Sequence, residues 1–476
     1  MKKRITMVCS MALAAVLMTA LGYWIVTTIP YQSHPLADAA EHYAHAVDVL
    51  KSTKDLTMQV NISTKTQIGD QTYTQISDQT VSYTDLHTEA MTANVEERLT
   101  VGSQKVNITE IYGNNTVYIT MLGSNFKGNC TSDEFLACQV PIIALDPAHY
   151  ESISGTIRHN TSIIRFTQAN AAENWALPAN CEFVDAEGTA WLDQNDQLLK
   201  CRYFLTYRTT GATVVKEYNI TRKTNSNITV KLPETPDSYT FLSAPYAPRM
   251  LEIAAGYLTQ EGSITAKYDE QILCEAFGDT RIREIRINMH ADTDWSARLD
   301  TSITLTNSSR EDEIVYLTQS ETFLDGEHMV SSNGADPELD ATVTEDLFHN
   351  YCHELLIGTI MQLRYITDAA QNEESDVYHI EFLANEDFAR YVSSYACQSL
   401  YQDGGILDAL ADNYSTSDIR CYLNISKSTG LPTAAGIYFC GNYTIRGLQY
   451  QLIYQADQIY TIPGENAQQA ISEPLN

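Results

Sequence analysis

One motif occurs twice in this chain, and the repetition limits the fold more than any other feature. Arg420 to Phe439, RCYLNISKSTGLPTAAGIYF, reads as a strand, a tight turn at Ser428-Thr429-Gly430 and a second strand. Thr189 to Leu205, TAWLDQNDQLLKCRYFL, echoes it as a short strand, a polar turn and a longer strand. Two copies of one β-rich unit predict two similar domains in tandem. At 476 residues the chain is too long for one ordinary domain, and two domains behind an N-terminal segment suit it.

The order of elements around each copy is similar. In the first, Leu36, Ala39, Ala40, Tyr43, Val47 and Leu50 recur at helical spacing, and strands rich in Thr, Val, Ile and Tyr follow. Leu56–Thr66, Gln71–Tyr83, Leu199–Tyr207 and Thr213–Thr221 are among them, and Asn114-Asn115 marks a hairpin turn. In the second, Met250, Leu251, Ala254, Tyr257 and Leu258 make a short amphipathic helix. Strands are expected near Ile264–Glu275, Thr280–His290, Ser296–Thr306, Ile314–Phe323 and Val377–Leu383. A helix is expected over Thr342–Leu363. Another starts at the capping residue Asn385, carries Phe388, Tyr391, Val392, Tyr395 and Leu400 as its apolar stripe, and stops at Gly404-Gly405. Between the copies, Lys231 to Pro248 holds four prolines and little periodicity. The expected division is 1–30, 31–233, a linker at 234–248, 249–463 and a polar tail at 464–476.

Lys2-Lys3-Arg4 precede an uncharged run, Ile5 to Ile29, long enough to span a bilayer. This predicts an uncleaved signal-anchor, a single-pass membrane protein with its bulk outside the cytoplasm. Secretion after cleavage near Ala20-Leu21-Gly22 is the alternative. Thirty Lys and Arg stand against sixty Asp and Glu, a net charge of −30, which disfavours nucleic acid as a partner. Nine of the ten cysteines follow the apolar run. Cys130 with Cys138, Cys181 with Cys201, and Cys421 with Cys440 are positioned either to pair or to stay as buried thiols, and spacing does not decide between these.

Little in the chain points to catalysis. His349, Cys352, His353 and Glu354 cluster in HNYCHELL, with the two histidines one turn apart. Asn350 stands where a zincin has Glu, and no oriented base or oxyanion site accompanies the Cys. His42 and His45 also have a usable spacing but read as a helix surface. Walker, GxSxG and Rossmann patterns are missing from the sequence. No catalytic residue, metal or cofactor is assigned, and the chain is expected not to be an enzyme.

Tyr422-Leu423-Asn424 followed by Ser428-Thr429-Gly430-Leu431-Pro432 resembles the hairpin of exported Gram-positive proteins with a lipoprotein-carrier-like (LolA-like) fold. Trp191-Leu192-Asp193 with Leu198-Leu199-Lys200 is a more degraded form that lacks the Gly and the Pro. Thr433 and Ala434 stand where a basic residue often follows the Pro. The resemblance implies an α+β fold: two tandem curved antiparallel half-barrel sheets with helices packed on the concave side, here preceded by one transmembrane helix. It also implies an apolar space between sheet and helices that takes a lipid or lipoprotein. The residues expected to line such a space are Tyr203, Leu205 and Tyr207 in the first copy. In the second they are Tyr391, Tyr395, Leu448, Tyr450, Leu452 and Tyr454. Tyrosine suits that place, apolar along its body and polar at its tip. The rival expectation is a structural or sensory module with filled cores that binds an envelope protein.

Overall fold

Along Ile264–Cys274 the burial alternates: Ile264, Ala266, Tyr268, Glu270, Ile272 and Cys274 are covered and the residues between them are more open. A pleated strand with one face inward produces that pattern, and most of the chain is built this way. The computed structural model describes residues 34–461, apart from 139–146, 172–174, 176, 179, 224–227, 261, 292–294, 310–313 and 374–375.

The first sheet holds β1 (His34–Pro35), β2 (Leu56–Ile68), β3 (Gln71–Thr84), β4 (Thr92–Val101), β5 (Gln104–Gly113), β6 (Thr116–Met121) and β7 (Ser124–Asn129). It also holds β8 (Tyr150–Arg158), β9 (Thr161–Ala169), β10 (Glu182–Leu192), β11 (Leu198–Thr209), β12 (Ala212–Lys223) and β13 (Thr240–Phe241). The second holds β14 (Ile264–Cys274), β15 (Asp279–Ala291), β16 (Trp295–Asn307), β17 (Val315–Leu324), β18 (Glu327–Ser332) and β19 (Glu338–Leu339). Its other strands are β20 (Ile366–Glu373), β21 (Val377–Ala384), β22 (Asn413–Ser426), β23 (Pro432–Ile445) and β24 (Leu448–Thr461). The helices are α1 (Ala39–Ser52), α2 (Ser132–Cys138), α3 (Ala247–Leu258), α4 (Glu345–Leu356), α5 (Glu386–Tyr401) and α6 (Ile406–Leu410).

The strand orders are β1-β8-β9-β10-β11-β12-β2-β3-β4-β5-β6-β7-β13 and β19-β18-β17-β16-β15-β14-β24-β23-β22-β21-β20. Read from β8 and from β20, the two sheets follow one plan. The echoing motifs fall at the same place in it, β10–β11 and β22–β23. Each hairpin also carries two bulges at matching spacing, between Phe183/Asp185 and Trp191/Leu192 in one and between Thr416/Asp418 and Asn424/Ile425 in the other. Superposing the bulges aligns Leu192 with Ile425, two residues away from the pairing suggested by the Trp191-Leu192-Asp193 and Tyr422-Leu423-Asn424 strings.

The two sheets are joined through α3. Pro248 sits in its first turn, and its buried residues include Leu251, Ala254, Tyr257 and Leu258. In sequence α3 opens the second unit, yet it lies on β4 of the first sheet. A Cβ at Gly256 would come within 2.6 Å of the Val101 side chain, so only glycine allows this approach. Arg249 donates to the buried Glu97 carboxylate at 2.6 Å, Gln104 donates to Glu252 at 2.6 Å, and the Tyr257 hydroxyl donates to Gln75 at 3.3 Å. The proline-rich segment ahead of α3 is stitched at both ends. β13 pairs parallel with β7, and the Ala244 amide donates to the Ala369 carbonyl of β20 at 2.7 Å. From the other side, the turn of the β22–β23 hairpin reaches the first sheet. Tyr207 Oη donates to the Ser428 carbonyl at 3.2 Å and Thr66 Oγ1 to that of Thr429 at 3.3 Å.

The α+β expectation with a membrane-spanning helix ahead of it is corrected here. The chain is mostly β, two large sheets of 13 and 11 strands with short helices laid on them. The longest described helix, α5, has 16 residues, against about 20 for a bilayer span. No helix among the described residues is long and apolar enough to cross a membrane. Residues 1–30, on which that expectation fell, lie outside the described residues, as does the tail 464–476. The excess of strand includes segments to which the sequence assigns no element, such as Thr92–Val101 and Ile366–Glu373.

Arg249→Ala strands the Glu97 carboxylate under α3 without its partner. The expected loss is about 3–5 kcal/mol in urea unfolding. Because α3 joins the sheets, one shared transition should move. A first sheet that melts alone while the second is unchanged would show that the pin is local.

Candidate functional site

In the second unit, the roof helices and the sheet do not close completely. A cavity of about 160 Å³ is lined by Tyr268 (β14), Arg283 (β15), Ile437 (β23), Tyr454 (β24), Glu354 and Leu355 (α4), Gly358, and Tyr391, Val392 and Tyr395 (α5). Asn385 fixes the start of α5 by accepting from the Phe388 amide, and Gln402, in the left-handed region at φ 58°, ends it before Gly404. Tyr391 and Tyr395, one turn apart, therefore face the same opening.

The floor is a charged cluster. Glu270 lies directly across the β14–β15 ladder from Arg283, and its carboxylate is bound by Arg281. Tyr268 Oη and Tyr395 Oη each donate to Glu270 Oε2 at 2.9 Å, and Tyr454 Oη lies 3.5 Å from the same oxygen. Tyr268 and Tyr454 hydroxyls are 3.2 Å apart. Burial first, then the Glu270 carboxylate, raises Tyr268, so its phenol stays protonated and donates. Burial alone would lower the Arg283 guanidinium, but Glu270 and the surrounding tyrosines outweigh it. Arg283 Nε is buried and has no hydrogen-bond partner. An unmet donor of this kind costs about 1–3 kcal/mol, so its presence calls for an explanation.

The first sheet shows what the shared plan holds without this cluster. Following the ladders from the aligned hairpins, Glu270, Arg281 and Arg283 fall at the positions of Ile62, Gln75 and Ser77. Three ionisable side chains thus replace one apolar and two neutral polar ones. Wider depressions occur elsewhere: one of about 500 Å³ on an outward polar face is bordered by Gln59, Asn61, Asp78 and Lys200, and an open one of about 680 Å³ by Leu273, Ile314 and Tyr450.

Of the residues expected to line an apolar space, Tyr391, Tyr395 and Tyr454 meet at this cavity. The first-copy trio is packed instead. Tyr203 is fully buried and stacks on Tyr218 at 4.4 Å, Leu205 is buried, and Tyr207 holds the Ser428 turn. Leu452 is a core residue, while Leu448 is exposed and Tyr450 half-buried near the strand's start. Glu270, Arg281 and Arg283 were missed by the sequence reading. Their signal was present, as charged residues at inward positions of otherwise apolar alternation.

The histidine pairs have structural roles. His353 Nδ1 donates to the Leu258 carbonyl at 2.9 Å, which leaves its Nε2 to accept from His349 Nε2 at 3.1 Å and ties α4 to the end of α3. Cys352 is buried between them. His42 meets Asp196 at 2.8 Å, joining α1 to the β10–β11 turn. Among the described residues, no three His, Cys, Asp or Glu are arranged to hold a metal. All nine described cysteines are free thiols. Register explains one pair: Cys421 lies opposite Ile437 and Cys440 opposite Asp418, so the two are out of step.

No family model and no curated protein matches the chain. Among solved structures it is similar to LprF from Mycobacterium bovis at 10% identity and TM-score 0.26, over 42% of this chain and 99% of that one. It is also similar to OccK2 (OpdF) of Pseudomonas aeruginosa, at 6% identity and TM-score 0.10, over 86% and 98% of the two chains. OpdK from the same organism, solved with vanillate, gives 6% identity and TM-score 0.11 over 86% and 98%. At this overlap the likenesses carry no functional argument.

Burial pushes the Cys352 and Cys421 thiols up to about 12. An unfolded thiol loses its proton near pH ~8.5. Above that pH the unfolded chain releases protons that the native one keeps, so stability falls as pH rises, by about 1.4 kcal/mol per pH unit per such thiol until about 12. Urea midpoints from pH 8 to 10.5 should fall steadily. Cys421→Ala should flatten the slope, and an unchanged slope would mean other groups carry it.

Proposed function

We propose that this protein is a binding protein whose second unit takes an amphipathic, lipid-like molecule into the gap between its sheet and roof helices. One observation carries the reading: the cavity, with a tyrosine-rich wall over a buried charged floor, at a place where α3 covers the first sheet and its polar groups meet protein partners, Gln75 with Tyr257 and Ser77 with the Glu97–Arg249 pair. Three of the residues that the carrier-like resemblance pointed to surround the cavity. At about 160 Å³ it is smaller than a drug-sized pocket, so it suits the head and first carbons of a slender molecule, the rest passing Tyr391 at the mouth. A binding rather than catalytic role is supported by the buried, protonated Cys352 and by the hydrogen bonds that occupy His353. The acid-rich composition agrees with work outside the cytoplasm and away from nucleic acid.

The test is saturable binding of the neutral apolar dye N-phenyl-1-naphthylamine to the whole chain. Val392→Phe and, separately, Gly358→Val should fill the cavity and weaken binding at least tenfold with melting unchanged. Equal binding by whichever variant stays folded would remove this site from the account.

A second reading, a protein-interaction module, also has one observation in its favour. β18 pairs with β17 only from Gln319 to Leu324, and Asn333 closes Thr318. The edge at Val315, Tyr316 and Leu317 is left exposed and apolar, as an edge that accepts an extended apolar peptide would be. Tyr316→Lys should abolish capture of a strand-forming peptide by this edge and leave dye binding intact.

A further inference from the structure

The charges on the floor of the cavity are unequal in number. Two guanidinium groups, Arg281 and Arg283, face one buried carboxylate, Glu270. Arg281 binds Glu270, and the carboxylate's other oxygen accepts from Tyr268 and Tyr395. Tyr454 stands 3.5 Å from that same oxygen. Arg283 faces Glu270 across the ladder and bonds the Tyr351 hydroxyl, but its charge is not consumed by a carboxylate of its own, and it lines the cavity. Glu354 also lines the cavity, but it is exposed at the rim, and no ion pair joins it to Arg283 among the described residues. Beyond the charged floor the wall turns apolar through Ile437, Val392 and the ring faces of Tyr391, Tyr395 and Tyr454.

A cation at the charged end and an apolar passage to the surface define a polarity for the occupant. We propose that the molecule held here carries an oxyanion head, a carboxylate or phosphate, that lies inward against the Arg283 guanidinium, while a single apolar chain leads out past Tyr391. This rests on the cavity reading above and narrows its ligand to anionic single-chain amphiphiles. Arginine suits the role, since its planar fork stays charged and can present two N–H groups to the same head. The overall charge of −30 opposes any anion, so a preference for one has to arise locally at this floor.

The experiment displaces N-phenyl-1-naphthylamine from the whole chain with dodecanoate, dodecyl phosphate, dodecanol, acetate and inorganic phosphate at fixed ionic strength. Dodecanoate and dodecyl phosphate are expected to bind at least tenfold tighter than dodecanol. Acetate and phosphate alone should fail to displace. Arg283→Met should erase the anion preference by weakening the two anions while dodecanol is unchanged, and Arg283→Lys should keep part of it. Melting is followed alongside, because Arg283 also faces Glu270 and bonds Tyr351; the readout is the ratio of anion to dodecanol affinity within one folded variant, which a general loss of stability does not change. Dodecanol binding as tightly as dodecanoate, or a preference that survives Arg283→Met, would overturn the anionic head and leave the cavity reading standing. Displacement by phosphate alone would make this a free-anion site and overturn the amphiphile. If the dye itself does not bind, the cavity reading fails first.

Discussion

The structure depends on one helix serving two sheets. α3 begins the second unit in sequence but covers the first in space, held by the Arg249–Glu97 pair and by the absence of a side chain at Gly256. Glycine inside a helix costs about 1 kcal/mol relative to alanine. Here it lets the helix axis come close enough for Leu251, Ala254 and Tyr257 to be buried, and burying large side chains returns about 1.5–3 kcal/mol each. The consequence is a single continuous core across both units instead of two separate ones.

That sharing explains why the copies differ inside. The first sheet receives α1, α3 and the Ser428-Thr429 turn, so its inward tyrosines find partners in protein: Tyr203 on Tyr218, Tyr207 on the Ser428 carbonyl, Tyr73 on that of Ser263. The second sheet lends out its first helix and its hairpin tip. Its roof is built from α4, α5 and the short α6, and between α4 and α5 the cavity stays open to β14, β15, β23 and β24. A gap in the second copy follows from the way the two are assembled, without any special loop or insertion.

Strand positions in the second unit were readable because period-two alternation is strong there: β14 to β17 and β21 fall within a residue or two of expectation. The short or polar strands β4, β18 and β20 were not, because their alternation is broken by Asn, Glu, Gln and Ser that pair only once neighbours are present. The duplication was legible from one hairpin, but its register was not. Trp191-Leu192 and Tyr422-Leu423 match as strings, whereas the bulges, which sequence does not display, set the true alignment. Nor could the sequence assign α3 to the first sheet, since its apolar stripe says that it is buried and not against what. The nine residues chosen for an apolar lining separated for the same reason. All were plausible inward side chains, and only packing between distant elements decides which of them meet empty space.

The charged floor is the clearest departure from what packing alone would select. At matching positions the first sheet has Ile62, Gln75 and Ser77, and its nearby ion pair, Glu97 with Arg249, is closed by a residue of α3. A buried ion pair is on average no better for stability than apolar residues of its shape, because desolvation offsets the attraction. Glu270 with Arg281 therefore adds little to holding the sheet, and Arg283 with an unmet donor subtracts from it. Side chains that a sheet neither requires nor fully satisfies are explained by something that arrives later. The three tyrosines bind Glu270 from the strands and from α5, so the roof helix is fastened to the floor by the same carboxylate that fixes Arg281. Glu270 thereby sets the height of the roof, and Arg283, opposite it on the ladder, lines the space that this height creates.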